Sequence, residues 1–294
     1  MKFLDQRGEL LRQGLLHVKG HSDAQLDRSP EERSEYLIAY GLGSRSNCIR
    51  SLQSVHEARS IYRWFGEADI RGFKENCYVV SKLMCINAIE QGVGWAAEHD
   101  FFWFLLSDQD DLLRWFGAIE PSKTWLSNAL NPNDHLFRHY QMSLAVRGDW
   151  TALGDRAEQQ LAKDPPKLKK CMVDQRFYLA LSQGDKAGMV DALTELTSPA
   201  MAKKRNDQLE FGFTHFFIGT HATMYAKLAW RHGHQIEIDT PYIPREWLPI
   251  QPLDHYEDPY PFMREYRNDA LPPPRSGRAG KTQVEPPSVS AARK

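Results

Sequence analysis

Apolar residues recur along most of this chain at intervals of three and four, the spacing that lines one face of an α-helix; strict alternation is confined to one short stretch near the C-terminus. In "SPEERSEYLIAY" Ser29 reads as an N-cap, Pro30 as the first helical residue and Glu32 as the reciprocal member of a capping box, so a helix is predicted to start there. Tyr36, Leu37, Tyr40, Ile49 and Leu52 continue the apolar spacing, although Gly41 and Gly43 weaken or break the middle. Further helices are predicted over residues 71–91, 95–106, 108–116 and 122–130. Several of their apolar faces are broad and aromatic, as in "FFWFLL", and such helices have to be covered by others.

Between Asp134 and Thr197 the pattern becomes regular. "YQMSLAVRGDWTALGDRAEQQLA" and "RFYLALSQGDKAGMVDALTELTS" each run helix, Gly-Asp turn, helix, with Gly148-Asp149 and Gly184-Asp185 spaced 36 residues apart. Tetratricopeptide-like hairpins have this kind of period, with Gly ending the first helix and Asp capping the second. Two unrelated hairpins would read the same way with only two copies. Both readings give helices.

The longest helix is predicted from about Asp207 to His232, apolar over most of its circumference and therefore central, with Trp230 buried where it ends at Gly233. The stretch from His234 to Met263 then carries six prolines and six acidic residues against one Arg. Residues 235–239 alternate like a short strand, but the prolines forbid both helix and sheet interior. Ile236, Ile238, Tyr242, Ile243, Trp247, Leu248, Ile250, Leu253, Tyr256, Tyr260 and Phe262 are expected to dock this stretch as an ordered belt on the helical body. The predicted class is all-α: a multi-helix bundle of antiparallel helical hairpins, tetratricopeptide-like near 134–197, with an extended proline-rich C-terminal belt. Residues 1–269 are expected to form one domain. Residues 270–294, rich in Pro, Gly, Ser and charge, are expected to be disordered.

Charge narrows the function. The last 25 residues carry +4, which leaves the first 269 at −5 out of a total of −1. An acidic body argues against a nucleic-acid partner, whose phosphates call for a basic face. No membrane partner is expected either: there is no secretory apolar region, and no stretch has the length of a membrane span. A cytoplasmic location follows, with Cys48, Cys77, Cys85 and Cys171 reduced and buried.

Catalytic chemistry is sought without result. "HEARS" starts like a zinc motif but has Ser60 where the second His is required. His17 with His21, and His135 with His139, have helical spacing for a metal pair but no third ligand nearby, and are read as surface or capping residues. His215 and His221 read as separately satisfied buried histidines. Ser44 in "GLGS" fits neither a nucleophile elbow nor a phosphate loop. The basic runs 167–170 and 203–205 read as solvated helix ends. No catalytic residue, metal or cofactor is assigned.

Two acidic clusters remain as candidates for a partner interface. One is Asp108, Asp110 and Asp111 in "SDQDD", which otherwise cap a helix N-terminus. The other is Glu237, Asp239, Glu246, Asp254, Glu257 and Asp258 on the belt, which is either a solvated edge or a surface that attracts a basic partner.

At "AKLAWRHGHQIEIDTPYIPREWLPIQPLDHYEDPYPF" the sequence resembles the immunity protein 49 family of bacterial polymorphic toxin systems. The resemblance rests on Ala229-Trp230, Gly233, Ile236 to Asp239, Tyr242 to Pro244, and Tyr256 to Phe262. It implies a protein that neutralises a cognate toxin by tight binding and steric occlusion, without catalysis. Combined with the acidic body, it makes a basic nuclease toxin the expected partner. A helical-repeat scaffold for another partner, or a metal-dependent hydrolase on a helical fold, are the alternatives.

Overall fold

The computed structural model describes residues 3–92, 94, 97–206 and 217–273. Its thirteen described α-helices and the absence of any described strand make the protein all-α. The first third is α1 (Phe3–Asp23), a short α2 (Ser34–Ala39), α3 (Arg45–Glu67) and α4 (Ile70–Gln91). The capping box at Ser29 and Glu32 is present, but it opens a single 3-10 turn, Pro30–Glu32. Helix α2 follows and ends at Tyr40. Gly41 and Gly43, both at positive φ, break the run before Ser44 caps α3. Asp69 caps α4 by accepting from Gly72 N, so α3 and α4 return on each other as a long hairpin.

Next come α5 (Phe102–Ser107), α6 (Asp110–Gly117) and α7 (Lys123–Ala129). The predicted helix over 95–106 is divided: Trp95 and Ala96 lie outside the described residues, and a 3-10 turn, Glu98–Phe101, precedes α5. All six residues of α5 are buried, as its aromatic character on every side requires.

Four helices carry the repeat: α8 (Leu136–Arg147), α9 (Trp150–Lys163), α10 (Met172–Gln183) and α11 (Lys186–Leu196). The two Gly-Asp turns have the same hydrogen bonds. Gly148 N donates to Ala145 O and Asp149 N to Leu144 O; Gly184 N donates to Leu181 O and Asp185 N to Ala180 O. Both glycines are left-handed, at φ 75° and 69°, which is where a glycine closes a helix without a Cβ penalty. The capping is less uniform. Asp185 accepts from Gly188 N, whereas the Asp149 carboxylate pairs with Arg147.

Helix α12 (Pro199–Arg205) leads to α13 (Thr220–Arg231), whose residues Thr220 to Ala229 are all buried. The expected central helix is therefore real but begins thirteen residues later than its apolar pattern suggested. Residues 207–216, His215 among them, lie outside the described set, and 217–219 are not helical. Gly219 N instead donates to Tyr242 O of the belt, a bond that a continuous helix would have used internally. Trp230 is only half-buried, with its indole donating to Ile236 O at 3.0 Å; the large aromatic sealed in the core is Trp247.

From His234 to Pro273 the chain crosses the helices with nothing more regular than 3-10 turns at 245–247, 261–265 and 268–270. Residues 235–239 show the expected alternation, Ile236 and Ile238 inward and their neighbours outward, without pairing to any described strand. Ala270 to Pro273 continue this path: Leu271 packs on the core and Trp115 Nε1 donates to Pro272 O at 2.7 Å. The remainder of the predicted disordered tail lies outside the described residues.

Candidate interaction surface and the charges beneath it

An extended segment with prolines has carbonyls to satisfy and few N–H groups to offer. The 3-10 turn at 245–247 closes with Leu248 in a right-handed helical conformation and aims belt carbonyls at the helices. Those of Trp247, Pro249 and Gln251 face two lysines that come up from the helices. Lys227 of α13 donates to Trp247 O at 2.8 Å and Pro249 O at 2.9 Å, and Lys74 of α4 donates to Gln251 O at 2.6 Å. Lysine suits this role because its ammonium has three donors and no acceptor. Asp108 completes the site, with 2.7 Å contacts to both Lys74 and Lys227 while accepting from Gln251 N at 3.1 Å. The three side chains are 0–4% exposed. Burial lowers the Lys227 pKa to about 8, against the pull of Asp108.

Aromatic packing fixes the belt on either side of this centre. Trp247 stacks on Phe73 with ring centroids 4.2 Å apart and meets Trp64, Phe65 and Phe102 edge-on. Further along, Tyr260 meets His56, whose ring is buried between α3, α4 and the belt. Asn76 points its amide N–H at Gly72 O, so its Oδ1, 2.6 Å from His56 Nδ1, accepts the imidazole proton. His56 Nε2 is left to accept from the Tyr260 hydroxyl at 2.8 Å. Burial holds the His56 pKa down to about 4.

This geometry divides the predicted interface residues. Asp108 is neither exposed nor an N-cap. It closes α5 in a left-handed conformation (φ 58°) and faces the two lysines, while Gln109 caps α6 by accepting from Leu112 N. Asp258 is also turned inward, 2.6 Å from Lys82 Nζ and 2.7 Å from the Tyr78 hydroxyl, with 18% of its side chain exposed. Both are corrections to a surface assignment: each carboxylate neutralises a lysine that the core has enclosed. Asp110 and Asp111 lie in the first turn of α6; both pair with Arg114, and Asp110 also holds Arg231. Glu237, Asp239, Glu246, Asp254 and Glu257 are exposed, and Asp239 pairs with Arg245 at 3.1 Å. Those five acids face outward along the length of the belt.

A second buried network lies under the hairpins. Glu98 and Asp174 are both fully buried. Arg138 is 2.9 Å from Glu98 and 3.6 Å from Asp174, Arg205 grips Asp174 through two 2.9 Å hydrogen bonds, and His221 Nε2 is 2.5 Å from Glu98. Burial alone would raise the Glu98 carboxyl; Arg138 and His221 beside it hold it well below the usual carboxylate range. Arg205 is thus not a solvated helix end, although Lys203 and Lys204 before it are exposed. His139 is buried and accepts from Glu98 N at 3.2 Å, whereas His135 is exposed beside Asp134, so the pair does not act as one site. His17 and His21 stand 3.2 Å apart on the exposed face of α1. All four cysteines are free and buried.

Lys74 and Lys227 were not singled out in the sequence. The available signal was a lysine inside an otherwise apolar helical run, as in "MYAKLAW" and "GFKENCYVV". No described helix is long and apolar enough to cross a membrane.

The model of the family described as Immunity protein 49 matches residues 135–247. The match reaches further toward the N-terminus than the resemblance noted above, covering the repeat, α12, α13 and the belt as far as Trp247. It ends before the Tyr256 to Phe262 segment. No curated protein and no solved structure matches the chain.

Proposed function

We propose that this chain, which carries the immunity protein 49 pattern across residues 135–247, is a cytoplasmic immunity protein that binds a basic protein toxin and neutralises it by covering its surface. The family match is the observation that carries this reading. The outward belt acids Glu237, Asp239, Glu246, Asp254 and Glu257 support it, since an acidic surface speeds encounter with a basic partner. The placement of the perturbed ionisable groups supports a binding role over catalysis. Lys227 and His56 hold belt atoms, and Glu98 ties α8 and α13 together, so their altered proton affinities are accounted for by packing.

The test is association with the toxin encoded beside this gene, followed by stopped flow at low and moderate salt. A stable complex with chemically unaltered toxin, and an association rate that falls as ionic strength rises, is the expected result. Reversing Glu246, Asp254 and Glu257 together is expected to slow association with little effect on the folded state. A cleaved or modified toxin would overturn the reading in favour of an enzyme. Association at the wild-type rate in the triple variant would move the interface off the belt.

A further inference from the structure

The 36-residue repeat lets one hairpin serve as a reference for the other. At that spacing Tyr140 and Arg156 of the first hairpin correspond to Arg176 and Ala192 of the second. In the first hairpin this seat is covered by α7. The Trp125 ring meets Tyr140 edge-on with centroids 6.3 Å apart, and Arg156 lies over Phe137 and Tyr140 while donating to Ala129 O at 2.6 Å.

In the second hairpin no described residue takes the place of α7. Ala192 removes the guanidinium, Arg176 turns aside to pair with Glu195, and a cleft of about 340 Å³ remains between α10 and α11. Leu179, Ala180 and Ala192 form its apolar floor, and Asp185, Asp191 and Glu195 its rim. The Asp185 carboxylate is engaged at the helix start with Gly188 N, whereas Asp191 and Glu195 are exposed. The lining holds three acids against one arginine, which already pairs with Glu195, so a net negative rim surrounds the apolar hollow.

We propose that the α10–α11 cleft is a docking site for a helical segment of the toxin partner, one that seats an apolar or aromatic side chain on Ala192 and sets a Lys or Arg against Asp191 and Glu195. The segment takes the position that α7 takes on the first hairpin. This rests on the reading that the chain neutralises a basic protein toxin, and it adds a contact away from the belt.

Two variants and one mapping experiment test it with the full chain and the toxin encoded beside its gene. Ala192→Arg restores the residue found in the first hairpin and fills the cleft from within; Asp191→Lys with Glu195→Lys reverses the rim. Each is expected to weaken the complex about tenfold or more, a loss of about 1.4 kcal/mol. Amide exchange in the wild-type complex is expected to show protection over α10 and α11, which decides the matter even if a variant folds poorly. Unchanged affinity in a folded variant, or protection confined to other elements, overturns the cleft and leaves the immunity reading standing. If wild-type protein and toxin form no complex, both fall together.

Discussion

The hairpins α8–α11 and the belt are ordered by opposite means. In the hairpins each backbone group finds its partner four residues away, and Gly148 and Gly184 close the helices locally. The belt has no such internal supply, so its order is imported. Lys74 and Lys227 donate to its carbonyls, Asp108 offsets their charge, and Trp247 fills the space between α3, α4 and α5. Regular structure distributes its stabilisation over many equivalent bonds, whereas the belt concentrates it in a few side chains. Damage to the belt should accordingly be severe at a few positions, and damage to a single helix-closing turn of a hairpin mild.

The sharpest break is Asp108→Asn, which keeps the shape and tolerates the left-handed backbone but leaves two buried lysines without their carboxylate. A loss of about 3–5 kcal/mol in denaturant unfolding is expected, against about 1 kcal/mol or less for Asp110→Asn, whose half-exposed carboxylate pairs with Arg114 and Arg231. Trp247→Ala is expected to cost about 3–5 kcal/mol, more than Trp230→Ala, because Trp247 is 1% exposed and stacked whereas Trp230 is half-buried. Equal losses at the two tryptophans would show that the belt is not anchored where Trp247 sits.

His56 gives the belt a pH dependence. Its folded pKa of about 4 lies below the ordinary 6.5, so between those values the unfolded chain binds the extra proton. Its contribution is complete above pH 6.5 and is lost as pH falls from 6.5 toward 4, by about 3 kcal/mol at most. His56→Gln should flatten the stability profile across that window; an unchanged slope would remove His56 from the account. In the hairpin, Gly184→Ala is expected to cost about 1 kcal/mol, the price of a Cβ at φ 69°, measured as a small fall in the unfolding midpoint. An effect of similar size is expected between chains ending after Asp269 and after Pro273. The shorter should be less stable by about 1 kcal/mol through loss of Leu271 packing and the Trp115 hydrogen bond.

Much of the helical body was legible because its signals are local. Ser122, Asp69, Gly148, Gly184 and Gly233 each mark an end within one turn of themselves, and the helices over 71–91 and 122–130 lie within a residue of their expected bounds. Most of the belt's docking residues were also legible, since Ile236, Ile238, Tyr242, Ile243, Trp247, Leu248, Tyr260 and Phe262 are buried and Leu253 and Tyr256 partly so; Ile250, expected to dock with them, is exposed. The length of α13 was not, because an apolar run looks the same whether it continues a helix or, as at Phe217 and Ile218, packs in the core without one.

The roles of the acids divide in the same way. The sequence alone determined an all-α body, a repeated hairpin and an irregular apolar belt, since period, capping and proline act through neighbours in the chain. Only the tertiary structure decided that Asp108 and Asp258 face inward while Glu246, Asp254 and Glu257 face out. A carboxylate in "SDQDD" or "YEDPY" reads alike in either state, and what separates them is a lysine 34 residues away on α4 for Asp108 and 176 residues away for Asp258. Burying a charge depends on such a distant partner, because the cost of leaving water has to be met at that point in space.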